Sequence, residues 1–313
     1  IGDLNPFAEK QKPIPGKRVP IVAATDKIGG AELAAADRPI TLPAPRANET
    51  WPNPGGQASN APGHLALASA VKQTWSADAG TGSSSSSRVT ASPIVSDGRV
   101  YTLDASARVS AFAITGGSAL WRTSLVPEAA KSSDAFGGGL VAEGGRLFAA
   151  TGFGTVVALD PASGKKLWEK SVGAHVRASP TAADGTVFVL TSDGRFTALS
   201  GVDGNELWTF RGIPEKTSLI SNPSPAVDGG IVLVPYPSGE LVALQAKDGQ
   251  TVWTESLARL RSVSSMASLS DAASPAIDGG IAYAVGHSGR MIATQLRTGE
   301  RLWQLNVPSV QPP

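Results

Sequence analysis

A tryptophan recurs along this chain at Trp121, Trp168, Trp208, Trp253 and Trp303, a period of roughly 40–50 residues. A period of that length constrains the fold more than any other feature. Each repeat must be one small supersecondary unit that cannot bury its own apolar face and has to stack on its neighbours. The repeat holds its register. At one fixed offset before each Trp stand Pro93, Leu140, Pro180, Pro225 and Pro275, four of them in Ser-Pro pairs. At later fixed offsets come Gly98, Gly145, Gly185, Gly230 and Gly280, then Ala111, Ala158, Ala198, Ala243 and Ala293. A second glycine follows at Gly117, Gly164, Gly204, Gly249 and Gly299, and the residue before each Trp is Leu or Val. The five windows align without an insertion.

One window shows why the unit is all-β. Ser179-Pro180-Thr181-Ala182 predicts a short first strand, and Asp184-Gly185 supplies the positive φ of a tight hairpin. Thr186–Leu190 is rich in β-branched and aromatic residues and predicts a second strand. Ser192-Asp193-Gly194 turns the chain into a third strand, Arg195–Leu199, and Asp203-Gly204 turns it into a fourth around Trp208. The recurrent Ala sits mid-strand, where β-propensity favours a larger side chain. That points to a neighbouring blade or the repeated Trp packing over it. At one per unit in constant register, the Trp reads as an apolar plate between sheets rather than a ligand platform. Pro and Gly interrupt every long stretch, so no helical periodicity competes. Four-stranded units at this period stack radially, and the predicted fold is an all-β propeller with five full blades visible.

Composition closes off several functions. Among 313 residues, 41% are hydrophobic and only 17% charged, with 35 Gly and 23 Pro, which suits a folded, turn-rich β protein. A net charge of +1 offers no basic field for nucleic acid or an anionic membrane. The absence of Cys excludes disulfides, thiolate metal sites and a cysteine nucleophile. No apolar run approaches the ~18–20 residues of a membrane helix.

Outside the windows the chain divides into three parts. Residues 1–50 contain no blade, and Pro13, Pro15, Pro20, Pro39, Pro43 and Pro45 make them extended and linker-like. Residues 51–90 form a lead-in with a loop at Ser83–Ser87, and Trp75 there looks like the outer strand of a ring-closing blade. Residues 91–313 carry the five blades. No inner strands accompany Trp75, and Pro312-Pro313 fall where a sixth window would open, so the expectation is a native ring that continues further. The connectors between blades vary in length, notably 209–224 and 254–274, the latter with Arg259-Leu260-Arg261 and Ser268-Leu269-Ser270-Asp271. Variable loops on a rigid scaffold are where function concentrates, although simple drift in loop length is the favoured account of these two on spacing alone.

Gly154-Thr155-Val156-Val157-Ala158-Leu159-Asp160, running on to Gly164-Lys165-Lys166-Leu167-Trp168, resembles the pyrroloquinoline-quinone-type propeller repeat. Quinoprotein alcohol dehydrogenases and the non-catalytic BamB lipoproteins share that repeat, which covers about residues 91–303 here. The flanks separate the two. Ile1-Gly2-Asp3-Leu4-Asn5-Pro6-Phe7 and Pro15-Gly16-Lys17-Arg18-Val19-Pro20 resemble the mature start of alphaproteobacterial BamB lipoproteins, just after the lipidated cysteine. Trp51-Pro52, Gly55-Gly56 and Ala61-Pro62-Gly63-His64-Leu65 are similar to the stretch before their first blade.

The resemblance implies an eight-bladed ring and a lipoprotein on the periplasmic face of the bacterial outer membrane, attached through a lipid anchor whose cysteine is not in this sequence. It implies a subunit of the β-barrel assembly machinery that docks on the periplasmic POTRA domains of BamA beside other subunits. The implied contact surface lies on two neighbouring inter-blade loops corresponding to 209–224 and 254–274. On it, Leu219 falls on a family leucine, Ile220 stands where the family carries arginine, and Asp271 matches one of two aspartates. Arg211 is the candidate for the charge that Ile220 lacks. Direct binding of unfolded outer-membrane chains is left open.

An enzyme needs converging polar groups with tuned pKa values. The only histidines are His64, His175 and His287, with no metal-ligand spacing and no nucleophile–base pairing. Quinone enzymes use an adjacent-cysteine disulfide, a calcium site and a catalytic aspartate; the cysteines are absent and the rest cannot be placed. No catalytic residue, cofactor or metal is therefore assigned. The alternatives are a quinoprotein dehydrogenase-like enzyme and a carbohydrate or envelope-polymer binding propeller. The second predicts a pocket in every blade, which the differing turn residues Ser106, Phe153, Asp193, Ser238 and Ser288 do not favour.

Overall fold

Each window folds as an antiparallel meander of four strands in chain order. The structure, a computed structural model, describes residues 41–84, 88–131, 137–212, 223–257, 272–287, 289–307, 309 and 311–313. Residues 1–44 and 45–313 separate as two units. Of the first, 41–44 are described and are exposed without regular structure. Blade 1 comprises β1 (Ile94–Ser96), β2 (Arg99–Leu103), β3 (Arg108–Ala113) and β4 (Ala119–Ser124). Blade 2 comprises β5 (Gly138–Glu143), β6 (Arg146–Thr151), β7 (Thr155–Leu159) and β8 (Lys166–Ser171). Blade 3 holds β9 (Thr181–Ala183), β10 (Thr186–Leu190), β11 (Arg195–Ser200) and β12 (Glu206–Arg211). Blade 4 holds β13 (Ala226–Asp228), β14 (Ile231–Pro235), β15 (Glu240–Gln245) and β16 (Thr251–Ser256). Blade 5 holds β17 (Ala276–Asp278), β18 (Ile281–Gly286), β19 (Arg290–Gln295) and β20 (Arg301–Leu305).

The turn chemistry read from the sequence is present. The first hairpin of blade 3 places Asp184 at φ 51° and Gly185 at 75°, and Asp97 and Gly98 do the same in blade 1. Two successive positive φ values are the signature of a twist-compatible two-residue hairpin.

Apolar burial is organised between blades rather than within them. A flat sheet of four strands has to cover both faces, and each continuous cluster of buried side chains joins two adjacent blades. One links blades 1 and 2 through Tyr101, Val109, Leu147 and Leu159, and another links blades 3 and 4 through Phe188, Phe196, Val232 and Leu244. The pairs 2–3 and 4–5 are joined in the same way. The short first strands of successive blades are neighbours (β1 with β5, β5 with β9, β9 with β13, β13 with β17), so they surround the propeller axis. The fourth strands lie outermost and alternate exposed with half-buried positions, as in β8 and β12.

The repeated side chains explain one another. Each recurrent Ala is the direct cross-strand partner of its own blade's Trp: Ala111 with Trp121, Ala158 with Trp168, Ala198 with Trp208, Ala243 with Trp253, Ala293 with Trp303. All five alanines are fully buried, and a register shift follows each one. Directly opposed side chains have Cβ atoms only about 5 Å apart, so a larger residue there meets the indole.

The second glycine is set by the neighbouring blade. A Cβ on Gly164 would lie 2.4 Å from the Trp121 ring, one on Gly204 2.7 Å from Trp168, and one on Gly249 2.5 Å from Trp208. These glycines also stand at φ +71°, +74° and +72°. Three residues before each glycine, a backbone carbonyl accepts the same indole N–H: Trp121 Nε1 to Pro161 O at 3.0 Å, Trp168 to Gly201 at 3.2 Å, Trp208 to Ala246 at 2.9 Å, Trp253 to Leu296 at 2.7 Å. The outer strands of blades 1 to 4 thus each latch onto the next blade through one indole.

Residues around Trp75 form no strand, yet Trp75 makes the same latch onto blade 1. Its Nε1 donates to Ile114 O at 2.9 Å, and its ring lies where a Cβ on Gly117 would sit. At the other end, Trp303 is 39% exposed where the latched Trp253 is 9% exposed, and no described residue accepts its indole proton.

Candidate functional site

Arg211 is the one sequence-predicted contact residue that the structure describes; Leu219, Ile220 and Asp271 lie in 213–222 and 258–271, outside the described residues. Arg211 is the last residue of β12, so it belongs to a blade strand rather than to the connector, which begins after it. Likewise β16 carries the chain to Ser256 before the second connector starts. Arg211 is exposed and pairs in register with Arg195. Around it lies a small mixed-charge edge. Arg195 Nη2 stands 3.7 Å from Glu206 Oε2, an open pair worth little on its own. The Thr191 hydroxyl donates to Asp193 Oδ1 at 2.6 Å. That bond, helped by backbone N–H groups and by the Arg211 charge, holds the Asp193 carboxyl below the usual carboxylate range.

The next residue departs from the repeat. Four residues past the Trp, blades 1, 2 and 4 place a buried apolar side chain, Leu125, Val172 and Leu257, and Val307 of blade 5 is exposed. Blade 3 has Gly212 there, with the same backbone bond, from its N–H to Gly194 O at 2.9 Å. A Cβ on Gly212 would lie 2.3 Å from the Tyr236 ring. Tyr236, from blade 4, fills the space and packs on Phe210 with ring centroids 6.4 Å apart. It is completely buried, its hydroxyl has no partner among the described residues, and burial pushes its phenol far above the ordinary tyrosine range. At Gly212 the place of the apolar side chain is therefore taken by an inserted aromatic from the following blade, a substitution of roles that a Gly in the repeat could have signalled.

A second arrangement escaped the sequence reading altogether. Residues 51–60, taken above as lead-in, run across the innermost strands of all five blades. At the same position of each first strand, a backbone N–H donates to this segment. Val95 N–H reaches Trp51 O at 2.9 Å, Ala142 reaches Pro52 O at 2.8 Å, Val227 reaches Ala58 O at 2.7 Å and Ile277 reaches Ser59 O at 2.8 Å. Ala182 N–H makes a longer bond to Asn53 Oδ1 at 3.4 Å. The segment ends on Asn60, whose buried carboxamide donates to Pro275 O at 3.0 Å and to Ser224 O and Pro225 O at 3.3 Å each.

Its own fold is local. Trp51 Nε1 donates to Pro54 O at 3.2 Å, Gly56 N–H donates to Asn53 O at 2.8 Å, and a Cβ on Gly55 would lie 2.3 Å from Asn60 Oδ1. Outside it, Arg46 and Leu65 bridge, with Arg46 N–H to His64 O at 3.1 Å and Ala66 N–H to Arg46 O at 2.7 Å, which closes the segment into a loop.

The histidines do not converge: His175 is half-buried with Nδ1 against Gly152 O, and His287 is exposed in the turn after β18. Among the described residues no three His, Asp or Glu side chains come together as a metal-ligand set, and no helix is long and apolar enough to cross a membrane.

Five four-stranded meanders, first strands around a common axis and outer strands tied by indole latches, define a β-propeller of the pyrroloquinoline-quinone repeat type. The family model described as outer membrane protein assembly factor BamB matches residues 57–135 and 105–313, and the chain belongs to that family. Outer membrane protein assembly factor BamB of Burkholderia pseudomallei is 32% identical over 142 residues, covering 45% of this chain and 34% of that protein. The Nitrosomonas eutropha protein of the same name is 28% identical over 121 residues, covering 39% of this chain and 28% of its own. These alignments span about a third of the length of the curated relatives. The crystal structure of BamB from Moraxella catarrhalis superposes with a TM-score of 0.62 at 21% identity, covering 72% of this chain and 66% of that one. Quinohemoprotein alcohol dehydrogenase from Comamonas testosteroni superposes at 0.61 with 14% identity, covering 83% and 49%. Likeness at such identities speaks to the fold alone.

Proposed function

We propose that the protein acts as a non-catalytic scaffold of the outer-membrane β-barrel assembly machinery, held on the periplasmic face of the outer membrane by a lipid anchor. It docks on the periplasmic POTRA domains of BamA through the connectors 209–224 and 254–274. The observation that carries this reading is the family match across the blades and the lead-in. The interface geometry adds support. The blade residues that repeat are occupied in holding the ring, which leaves the non-repeating connectors free for recognition. Arg211 stands exposed at the end of β12, beside Asp193 and next to Gly212, against which Tyr236 packs. In this reading Leu219 and Ile220 provide the apolar centre, and Asp271 and Arg211 orient the partner. Co-purification with the BamA periplasmic domain tests it. Leu219→Ala combined with Asp271→Arg abolishes capture if these connectors dock, while capture equal to the parent chain rejects the site. The quinoprotein dehydrogenase reading has a fold-level likeness only, and no arrangement among the described residues favours it.

A further inference from the structure

The segment Trp51–Asn60 belongs to no blade, yet it answers the same unmet need in all five. In an antiparallel sheet the edge strand leaves every second N–H pointing away from its partner. Around the axis those edges are β1, β5, β9, β13 and β17, and the donors at Ala142, Ala182, Val227 and Ile277 belong to buried residues. A buried backbone donor without an acceptor costs free energy comparable to a lost hydrogen bond, so this wall demands carbonyl oxygens. The segment provides four main-chain carbonyls and one side-chain oxygen. Its terminal Asn60 then reads the opposite polarity, the carbonyls of Ser224, Pro225 and Pro275, which the Ser-Pro starts of β13 and β17 leave facing the axis. The linker beyond, from Ala66 to Gln73, is exposed and has almost no backbone bonding of its own.

We infer that the propeller axis is a binding site for a looped polypeptide segment and that Trp51–Asn60 is the ligand it holds in cis. Recognition runs through main-chain carbonyls for affinity and the Asn60 carboxamide for sequence and register, the division of labour seen where a peptide adds to a sheet edge. Gly55 is part of the recognition element, because any side chain there collides with Asn60 Oδ1. The inference rests on the fold and not on the assembly reading, so either can fail without the other.

The test uses the full-length chain with a protease site inserted after Ser69 in the exposed linker. After complete cleavage of the folded protein, the N-terminal fragment co-elutes with the blades. A fluorescent synthetic peptide of residues 46–66, added in excess, exchanges into the site, and the same peptide carrying Asn60→Ala competes at least ~10-fold less well, the loss expected when the buried carbonyls of Ser224 and Pro275 lose this donor while Pro225 O keeps the Thr181 hydroxyl. Far-UV circular dichroism of the cut protein distinguishes release from unfolding. Release of the fragment from still-folded blades, unfolding on cleavage, or equal competition by the Asn60→Ala or a scrambled peptide each overturns the assignment of a separable, sequence-reading site.

Discussion

Replacing Gly204 by Ala probes the indole latch directly. Gly204 stands at φ +74°, where an L-residue pays about 1–2 kcal/mol for its Cβ. An added Cβ would also sit 2.7 Å from Trp168 Cε3 and 2.9 Å from Cδ2. The indole cannot yield easily, because its Nε1 is bonded to Gly201 O and Phe148 packs on it with ring centroids 5.8 Å apart. Overpacking of this kind costs about 1–3 kcal/mol, so Gly204→Ala should lose about 2–5 kcal/mol in all. Gly185 provides the control. It has φ +75° but nothing within 4 Å of an added Cβ, so Gly185→Ala should lose only the backbone share, about 1–2 kcal/mol. Urea denaturation of both variants, followed by far-UV circular dichroism, measures the difference. A double-mutant cycle with Trp168→Ala completes the test: with the indole removed, the extra cost of Gly204→Ala should vanish, a coupling of about 1–3 kcal/mol. Equal losses at Gly204 and Gly185, or strict additivity in the cycle, would show that the glycine serves the turn alone and that the latch does not constrain it.

The free and the latched indoles should respond differently to losing their proton donor. Trp253→Phe removes the bond to Leu296 O and should cost about 1–3 kcal/mol, since a buried carbonyl is left unpaired, whereas Trp303→Phe at its exposed site should stay within about 0.5 kcal/mol of the parent. Similar losses at both positions would remove the hydrogen bond from the account. Asp193 titrates below the usual carboxylate range chiefly because of the Thr191 hydroxyl, so its contribution to stability is present above about pH 4 and fades as pH falls through the lowered folded value. In Thr191→Val the Asp193 titration, followed by carboxyl carbon NMR, moves up toward the ordinary aspartate value, and an unmoved midpoint would assign the shift to other groups.

What could be read from the sequence divides along a physical line. Side chains that repeat because each blade has the same neighbour on each side left a periodic trace: the Trp, the Ala across from it, and the Gly beneath the next indole. The sequence left open whether the neighbouring blade or the blade's own Trp excludes a larger residue at Ala198. The structure answers with both, Trp208 opposite Ala198 in the same sheet and blade 4 in the same buried cluster, and sets the glycine against the indole of the preceding blade. The axial segment left almost no trace, because its acceptors are mostly backbone carbonyls, which every residue type carries. Only Asn53, Gly55 and Asn60 bring side-chain specificity, and none of them recurs with the blades. Gly212 was legible only as a gap, since the ring that fills it, Tyr236, comes from the next blade. Of the expected contact residues, Arg211 moved from a loop to a strand end, because the outer strand outlasts its Trp by three residues.

The two kinds of tie act at different distances from the axis, and together they bear on where function can reside. Indole latches fasten Trp75 to blade 1 and the outer strands of blades 1 to 4 each to the blade that follows. The axial segment fastens every first strand from the inside. A blade held at both its inner and its outer edge has little freedom to rotate against its neighbours, since any rotation must break a latch, an axial bond, or the apolar packing between sheets. Signalling by blade movement is thus a costly route for this chain. Recognition that leaves the blades in place costs no such rearrangement, and the connector sequences are where this chain departs from its own repeat.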